Sequence, residues 1–339
     1  LLLGSLFIRD PDYLQKPKGR VDYLSFIFIA MGLGGLEVTL NRGERYDWLE
    51  SNFIKASAAV ALLGVVLFVW RSLTAENPLV DLSVFKNVEF ATGTGLMFLL
   101  GFGLFGSFVM LPLYSQNLMG YTATLAGLLL SPGGLTSLVA LILVGNFIGK
   151  VDTRLIVLVG VLLNVLSLWL LRFVNLEISF FHLMMPRAIQ GFGLGCIFVP
   201  VTVAAYVRIP QNQMGTASGL FNLLRNEGGS VGIALSTTAL SRRMQFHQAR
   251  LVEHLTPFDP TFRQSLAQTA QGLFSRSGLD PHTNAALAQG LLYGELQRQA
   301  YTQAFVDVFW LLMLVFALIL PLIVLLRGQP GTSGPVGAH

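Results

Sequence analysis

The sequence predicts an all-α integral membrane protein with about eight transmembrane helices. Hydrophobic residues make up 53% of the 339 residues, and Asp, Glu, Lys and Arg together make up only 12%. An average soluble domain has about 25% charged residues. A charge at the bilayer centre costs several kcal/mol, so a surface that faces lipid cannot carry the ionisable groups of a soluble surface. Apolar runs of about 20 residues, the length that crosses the hydrocarbon layer, recur along the chain.

The net charge and the single cysteine narrow the class of protein further. A net charge of +4 in a soluble protein could indicate a nucleic-acid partner. An excess of Lys and Arg in short loops is also what the positive-inside rule produces, and we exclude nucleic acid on that ground. Cys196 lies in an apolar, glycine-rich stretch. We interpret it as a packed small residue without redox chemistry.

The apolar run 1–8 at the start of the chain is too short to cross a bilayer, and neither Met nor a basic region precedes it. We interpret 1–20 as the end of a truncated helix followed by a cytoplasmic loop. We therefore expect the chain to be a fragment, with further spans upstream that hold part of the machinery.

Eight apolar runs are long enough to be membrane spans. The connections assigned to the inner side carry most of the Lys and Arg residues, so we expect both ends of the chain to be cytoplasmic. The predicted spans are 21–40, 53–70, 91–113, 122–148, 155–174, 180–206, 215–240 and 302–326.

The connection 241–301, assigned to the outer side, is too long for the charge rule, and its apolar residues recur at helical spacing. We predict two or three amphipathic helices here. Asp259-Pro260 and Asp280-Pro281 each place an N-cap residue before a proline, which marks a helix start. A folded cap on the membrane domain is the interpretation we favour over a docking surface for an external partner. We interpret the histidines of this segment as solvated; they are His247, His254 and His282.

Arg187 lies roughly 10 Å into its predicted helix, with Gln190 one turn further on. An ionisable group at this depth is a functional candidate because it is expensive to keep there. Gly191 and Gly195 continue the same face, and small residues at that spacing let a neighbouring backbone approach closely. We expect Arg187 to face the protein interior or a watery cavity. A purely structural arginine bonded to backbone carbonyls is the alternative.

The span 215–240 carries a second polar group. Asn222 belongs to a stripe of small and polar residues that predicts a helix contact face, and Arg225 and Glu227 point in different directions. The alternative is that this helix begins later and that both charges lie in the membrane interface. Tyr114 and Gln116, at the end of the third span, form a smaller polar cluster for which an ordinary polar helix end is the favoured interpretation.

A short loop between the fourth and fifth predicted spans looks like a degenerate second copy of the loop signature of the major facilitator superfamily. Its motif residues are Gly145, Gly149, Lys150, Asp152 and Arg154. Further stretches resemble the fourteen-helix drug:proton antiporter branch of that superfamily, the EmrB/QacA type. They run from Arg187 through Pro200, from Met214 to Gly219, and from Asn222 to Gly232.

The resemblance implies an architecture. Residues 21–90 hold two linker helices, 91–240 hold the first five helices of a C-terminal six-helix bundle, 302–327 is the last helix, and 328–339 is a cytoplasmic tail. Such a bundle is a three-plus-three inverted repeat. The resemblance also implies that the proton-coupling acidic groups belong to the upstream half.

The implied function is proton-coupled efflux of drugs or other small amphipathic compounds by alternating access, in a bacterial inner membrane. The energy source is the proton motive force, with no cofactor and no metal. The implied partners are the lipid bilayer, a small-molecule substrate and the upstream half, and a periplasmic adaptor stays open. A cavity or gating role is expected for Arg187, Gln190, Arg225, Asn222, Tyr114 and Gln116, and an inner-side latch for Lys150, Asp152 and Arg154.

Other functions fit less well. A membrane enzyme would need converging carboxylates or metal ligands, and a channel would need repeated pore-lining elements; neither pattern is evident. An inactive or scaffold fragment and a narrow-substrate exporter remain alternatives.

Overall fold

A computed structural model describes residues 22–75, 78–253, 255–256, 258–277 and 281–324, with the side chains of 275–277 and 281–282 left out. Within these ranges the chain forms nine α-helices and no strand. Two predicted segments lie outside the described residues: the truncated helix with its loop, 1–20, and the tail, 328–339. The helices are α1 (Tyr23–Gly43), α2 (Asn52–Thr74), α3 (Val88–Asn117), α4 (Ala123–Phe147), α5 (Thr153–Leu170), α6 (Phe180–Tyr206), α7 (Met214–Val252), α8 (Pro260–Ser277) and α9 (Pro281–Ile323).

Seven of the described helices are long and apolar enough to cross a membrane: α1 to α6 and α9. The eighth predicted span, 215–240, lies within α7, which has 39 residues but is less apolar. Its inner part is rich in Gly, Ser, Thr and Asn and carries Arg225 and Glu227. The predicted all-α membrane fold is confirmed. Helix α7 is not among the seven because its polar residues lower its hydrophobicity.

The chain divides into two compact units, of which the first contains α1 and α2. These two helices pack at Gly32 and Gly64, where an added Cβ on either residue would meet the backbone of the other helix. The Ser57 hydroxyl donates to the carbonyl of Gly35 at 2.9 Å. Close backbone approach at small residues is the usual way in which membrane helices associate.

Asp22 caps the start of α1, as a carboxylate before a helix does. Its oxygens accept from the Ser25 hydroxyl at 2.8 Å and the Ser25 backbone N–H at 3.3 Å, and the Arg71 Nε lies at 3.1 Å. The hydrogen bond from the Ser25 side chain, followed by the contact with Arg71, lowers the pKa of Asp22 below 3.8.

A lowered pKa in the folded state means that Asp22 stabilises the fold above its unfolded pKa and that this stabilisation is lost as the pH falls through the folded value. We predict that the Asp22 carboxyl titrates below the ordinary aspartate range, as measured by ¹³C NMR in detergent micelles. Ser25→Ala and Arg71→Gln should each raise the midpoint. A midpoint at or above 3.8 in the parent protein would contradict the capping role.

The second unit contains α3 to α9. Helix α3 packs against α7, and α4 packs against α6. If α3, α4 and α5 form one repeat and α6, α7 and α9 form the other, the first helix of each repeat packs on the second helix of the other. This reciprocal pairing is the one that a three-plus-three repeat produces. Helix α9 also contacts α3, α5 and α7, and α8 packs on α9.

The helices do not end at the predicted limits of the outer segment 241–301. Helix α7 continues to Val252, and the described part of the last predicted span, 302–326, lies within the 43-residue helix α9. Neither junction contains a Pro or Gly that would interrupt the backbone hydrogen bonds, so the helices propagate through the change in polarity.

The predicted helix start at Pro260 is confirmed, and the described part of α9 begins at Pro281. The Asp259 carboxylate accepts the Thr261 N–H at 2.7 Å and the Phe262 N–H at 3.4 Å. Asp280 lies outside the described residues.

Candidate functional site

A cavity of about 400 Å³ opens in the second unit, with walls from α3, α4, α6 and α7. Pockets of about 300–1,000 Å³ hold drug-sized ligands. The walls are mainly Leu, Phe and Gly, with two arginines. The lining residues are Leu100, Gly101, Leu104, Phe105, Phe108, Gly133, Gly134, Ser137, Leu141, Arg187, Gly191, Leu194, Gly195, Phe198 and Arg225.

Glycines bring the wall helices together. A Cβ added to Gly191 of α6 would overlap the backbone of Gly133 on α4, and a Cβ on Gly101 of α3 would overlap the carbonyl of Arg225 on α7. The backbones are therefore in direct contact at both helix pairs. This geometry agrees with the predicted role of Gly191 in helix contact. The side chains of the neighbouring turns line the cavity.

Arg187 projects from α6 into this cavity and is only 2% exposed. Its Nη1 donates to the Gln190 side-chain oxygen, and its Cζ lies 3.7 Å from the centroid of the Phe108 ring. The guanidinium thus binds an amide oxygen and an aromatic face, and no bond to a backbone carbonyl is present among the described residues. Its Nε is buried without a hydrogen-bond partner in that part of the chain.

Gln190 connects α6 to α3. Its Nε2 donates to the Ser107 hydroxyl at 2.9 Å, and that hydroxyl donates to the carbonyl of Leu104 at 2.9 Å. Gln190 and Ser107 are both buried. A buried polar chain of this kind is stable only when each member is satisfied, so the two helices are held in one register.

Arg225 of α7 reaches the same cavity, with its Cζ 5.6 Å from the centroid of the Phe198 ring. Since α7 begins at Met214, Arg225 lies roughly 16 Å along it, and the alternative of a later helix start is wrong. Asn222 is exposed and donates to the carbonyl of Ser218 at 3.0 Å, outside the cavity wall.

Tyr114 and Gln116 are not brought to the cavity. The Tyr114 hydroxyl donates to the carbonyl of Asn175 at 2.8 Å, and its ring packs edge-on against Phe305 with the centroids 5.3 Å apart. Gln116 is exposed at the end of α3. Gln116 thus has the surroundings of an ordinary polar helix end, the favoured interpretation of this cluster, whereas Tyr114 is a buried packing residue.

The motif loop forms a tight turn between α4 and α5. Gly149 has φ +85°, a conformation that favours glycine, and the Asp152 carboxylate accepts the Arg154 N–H at 2.9 Å as the cap of α5. Lys150 is exposed, and a Cβ added to Gly145 would have no atom within 4 Å. None of the five motif residues lines the cavity.

Sequence reasoning missed a polar cluster between α7 and α9. The Asp307 carboxylate lies 2.8 Å from the His247 Nε2 and 3.5 Å from the Arg243 Nε. The interpretation of His247 as solvated is therefore wrong, since its side chain is 17% exposed and faces a carboxylate. His254 and the side chain of His282 lie outside the described part of the chain. One signal could have identified Asp307, which is a lone acid inside the last apolar run.

Comparison with known proteins gives consistent matches. The family model of the Major Facilitator Superfamily matches residues 5–233. The chain is 33% identical over 316 residues to the multidrug export protein EmrB of Haemophilus influenzae, covering 91% of this chain and 58% of that protein. It is 31% identical to the colistin resistance protein EmrB of Acinetobacter baumannii (87% and 57%) and 30% identical to the fatty acid resistance protein FarB of Neisseria gonorrhoeae (80% and 54%).

The chain thus spans just over half the length of the relatives it matches. Together with the seven apolar helices, these matches indicate a multi-pass protein of a bacterial inner membrane. On the family match over residues 5–233, this chain belongs to the Major Facilitator Superfamily, and within that superfamily it is similar to EmrB-type multidrug export proteins.

Proposed function

We propose that this chain forms the C-terminal part of a secondary transporter that exports drugs or other small amphipathic compounds in exchange for protons. The single observation that carries the proposal is the cavity of about 400 Å³ in which the buried Arg187 lies against apolar walls. The relatives support it, since their names describe multidrug export and resistance to colistin or fatty acids.

The mechanism we propose is alternating access. Substrate binds in the cavity, the two halves of the transporter rock about it, and protonation of an acidic group in the upstream half changes the side to which the cavity opens. This chain supplies one cavity wall, with Arg187 of α6 and Arg225 of α7 as its charged groups and Gln190 holding the Arg187 side chain in place.

The proposed topology places both ends of the chain in the cytoplasm, following the Lys and Arg bias of the short connections. The motif loop then lies on the inner side, where Lys150, Asp152 and Arg154 act as a latch that is made and broken during the cycle. The outer segment remains available to a periplasmic adaptor. These assignments rest on charge distribution and on resemblance.

The test is energy-dependent efflux from cells that express the intact protein, with a panel of anionic, neutral and cationic dyes. We expect efflux of at least one dye that stops when a protonophore is added, and a loss of about tenfold in the Arg187→Ala variant at matched membrane abundance, since charge-assisted contacts are the strong ones. Failure of the parent protein to export any dye would favour a narrow-substrate exporter or an inactive scaffold.

A further inference from the structure

The charges of the cavity wall have one sign. The charged side chains among the described lining residues are Arg187 and Arg225, and that lining contains no Asp or Glu. The remaining wall is aromatic, aliphatic or glycine, including Phe105, Phe108 and Phe198. A ligand that enters this cavity therefore meets positive charge and apolar surface together.

Arg187 has binding capacity that the protein does not use. A guanidinium has five N–H donors, and within the described residues one nitrogen of Arg187 donates to Gln190 while the buried Nε has no partner. The structure leaves Arg187 without an ion pair to a described carboxylate, although the side chain is 98% removed from solvent. A buried cation without a counter-charge favours an anionic ligand, because the low dielectric strengthens their attraction.

The Arg187 Nε lies beside Gly133 of α4. A Cβ added to Gly133 would lie 3.1 Å from the Nε, a tight contact, so glycine at this position is what admits the guanidinium to the cavity wall. Gly133 also lines the cavity. Arg225 adds a second guanidinium whose Nε is buried without a hydrogen-bond partner among the described residues.

We propose that this cavity selects amphipathic anions, that is, compounds with an apolar, aromatic or aliphatic body and a carboxylate or a similar acidic head. The head binds Arg187 with support from Arg225, and the body packs on the phenylalanine side chains. This inference rests on the proposed export function for its substrate role, while the binding preference is testable without transport. The names of the relatives leave the sign of the charge open, since they range from colistin to fatty acids.

The test uses three probes that share one ring system: 2-naphthoate, neutral 2-naphthamide and cationic 2-naphthylmethylammonium. Each is titrated into the purified intact protein in detergent at neutral pH, and binding is followed by calorimetry. We expect naphthoate to bind about tenfold more tightly than the amide and the ammonium compound to bind most weakly. High salt should weaken the binding of naphthoate much less than it would at an exposed site, because the pair is buried.

Variants assign the preference to the cavity. Arg187→Gln and Arg225→Gln should each weaken naphthoate binding by about tenfold or less while the affinity for naphthamide stays within about twofold. Arg225→Gln keeps the buried Arg187, so it tests the anion preference even if Arg187→Gln fails to fold, as judged by its melting temperature. Arg263→Gln removes one exposed positive charge on α8 and should bind all three probes as the parent does.

The outcomes separate this inference from the proposed function. Equal binding of the three probes, tighter binding of the cation, or a selectivity that survives Arg187→Gln and Arg225→Gln together would overturn the anion preference, even if the protein exports cationic dyes. Selective binding of naphthoate without protonophore-sensitive export of any compound would retain the anion site and overturn the export function.

Discussion

Gly191→Ala is expected to destabilise the bundle by about 3 kcal/mol or to prevent its assembly, near the upper end of overpacking effects. The new methyl group would lie 2.5 Å from the Cα of Gly133. The three nearest atoms are the backbone O, C and Cα of Gly133. No side-chain rotation can relieve this overlap, so α4 must separate from α6. Packing is the main force between helices in lipid, and a separated pair has no hydrophobic gain to replace it. Thermal unfolding in detergent and membrane abundance measure the effect.

Gly127→Ala on α4 is the matched control for this prediction. A Cβ added to Gly127 would have no atom within 4 Å. Alanine at this position should therefore be neutral or stabilise the protein by about 0.5–1 kcal/mol through its better helix propensity. The two substitutions are chemically identical, and their opposite signs would isolate the backbone contact. Equal melting temperatures of the two variants would show that α4 and α6 do not touch at Gly191.

Much of this contact could be predicted from the sequence. Gly191 and Gly195 follow Arg187 at helical spacing, and that local pattern indicated a close-packed face with a buried arginine. The identity of the partner was not predictable, because Gly133 lies on another helix and nothing in one sequence joins the two positions.

The polar contacts of Arg187 could likewise be predicted only in part. Arg187 and Gln190 are one turn apart, so their contact follows from helix geometry. Ser107 and Phe108, which complete the network, belong to α3 and are brought to Arg187 by tertiary packing alone. The pairing of His247 with Asp307 depends on two long helix extensions. The prediction ended the span at residue 240 and placed His247 in the outer segment, where it was interpreted as solvated.

Gln190→Leu is expected to cost about 2–3 kcal/mol of stability, the size found when a hydrogen bond to a buried charged group is removed. Gln190 supplies the side-chain oxygen that accepts from Arg187 and the amide that donates to Ser107. Leucine has a similar size, so packing changes little and the loss comes from the guanidinium and hydroxyl left without partners. Gln116→Leu makes the same change at an exposed helix end and should stay within about 0.5 kcal/mol of the parent.

A double-mutant cycle decides whether the cost comes from the buried charge. Arg187→Leu combined with Gln190→Leu replaces the pair by apolar side chains, and replacing a buried polar pair in this way is often neutral or stabilising. We expect the double variant to melt at a higher temperature than Gln190→Leu alone, with a coupling energy of about 1–3 kcal/mol. The double variant should nevertheless lose its preference for naphthoate over naphthamide. Additive losses of stability would mean that water, rather than Gln190, satisfies the guanidinium. A stable double variant without anion selectivity would show that Arg187 is kept for binding at the expense of stability.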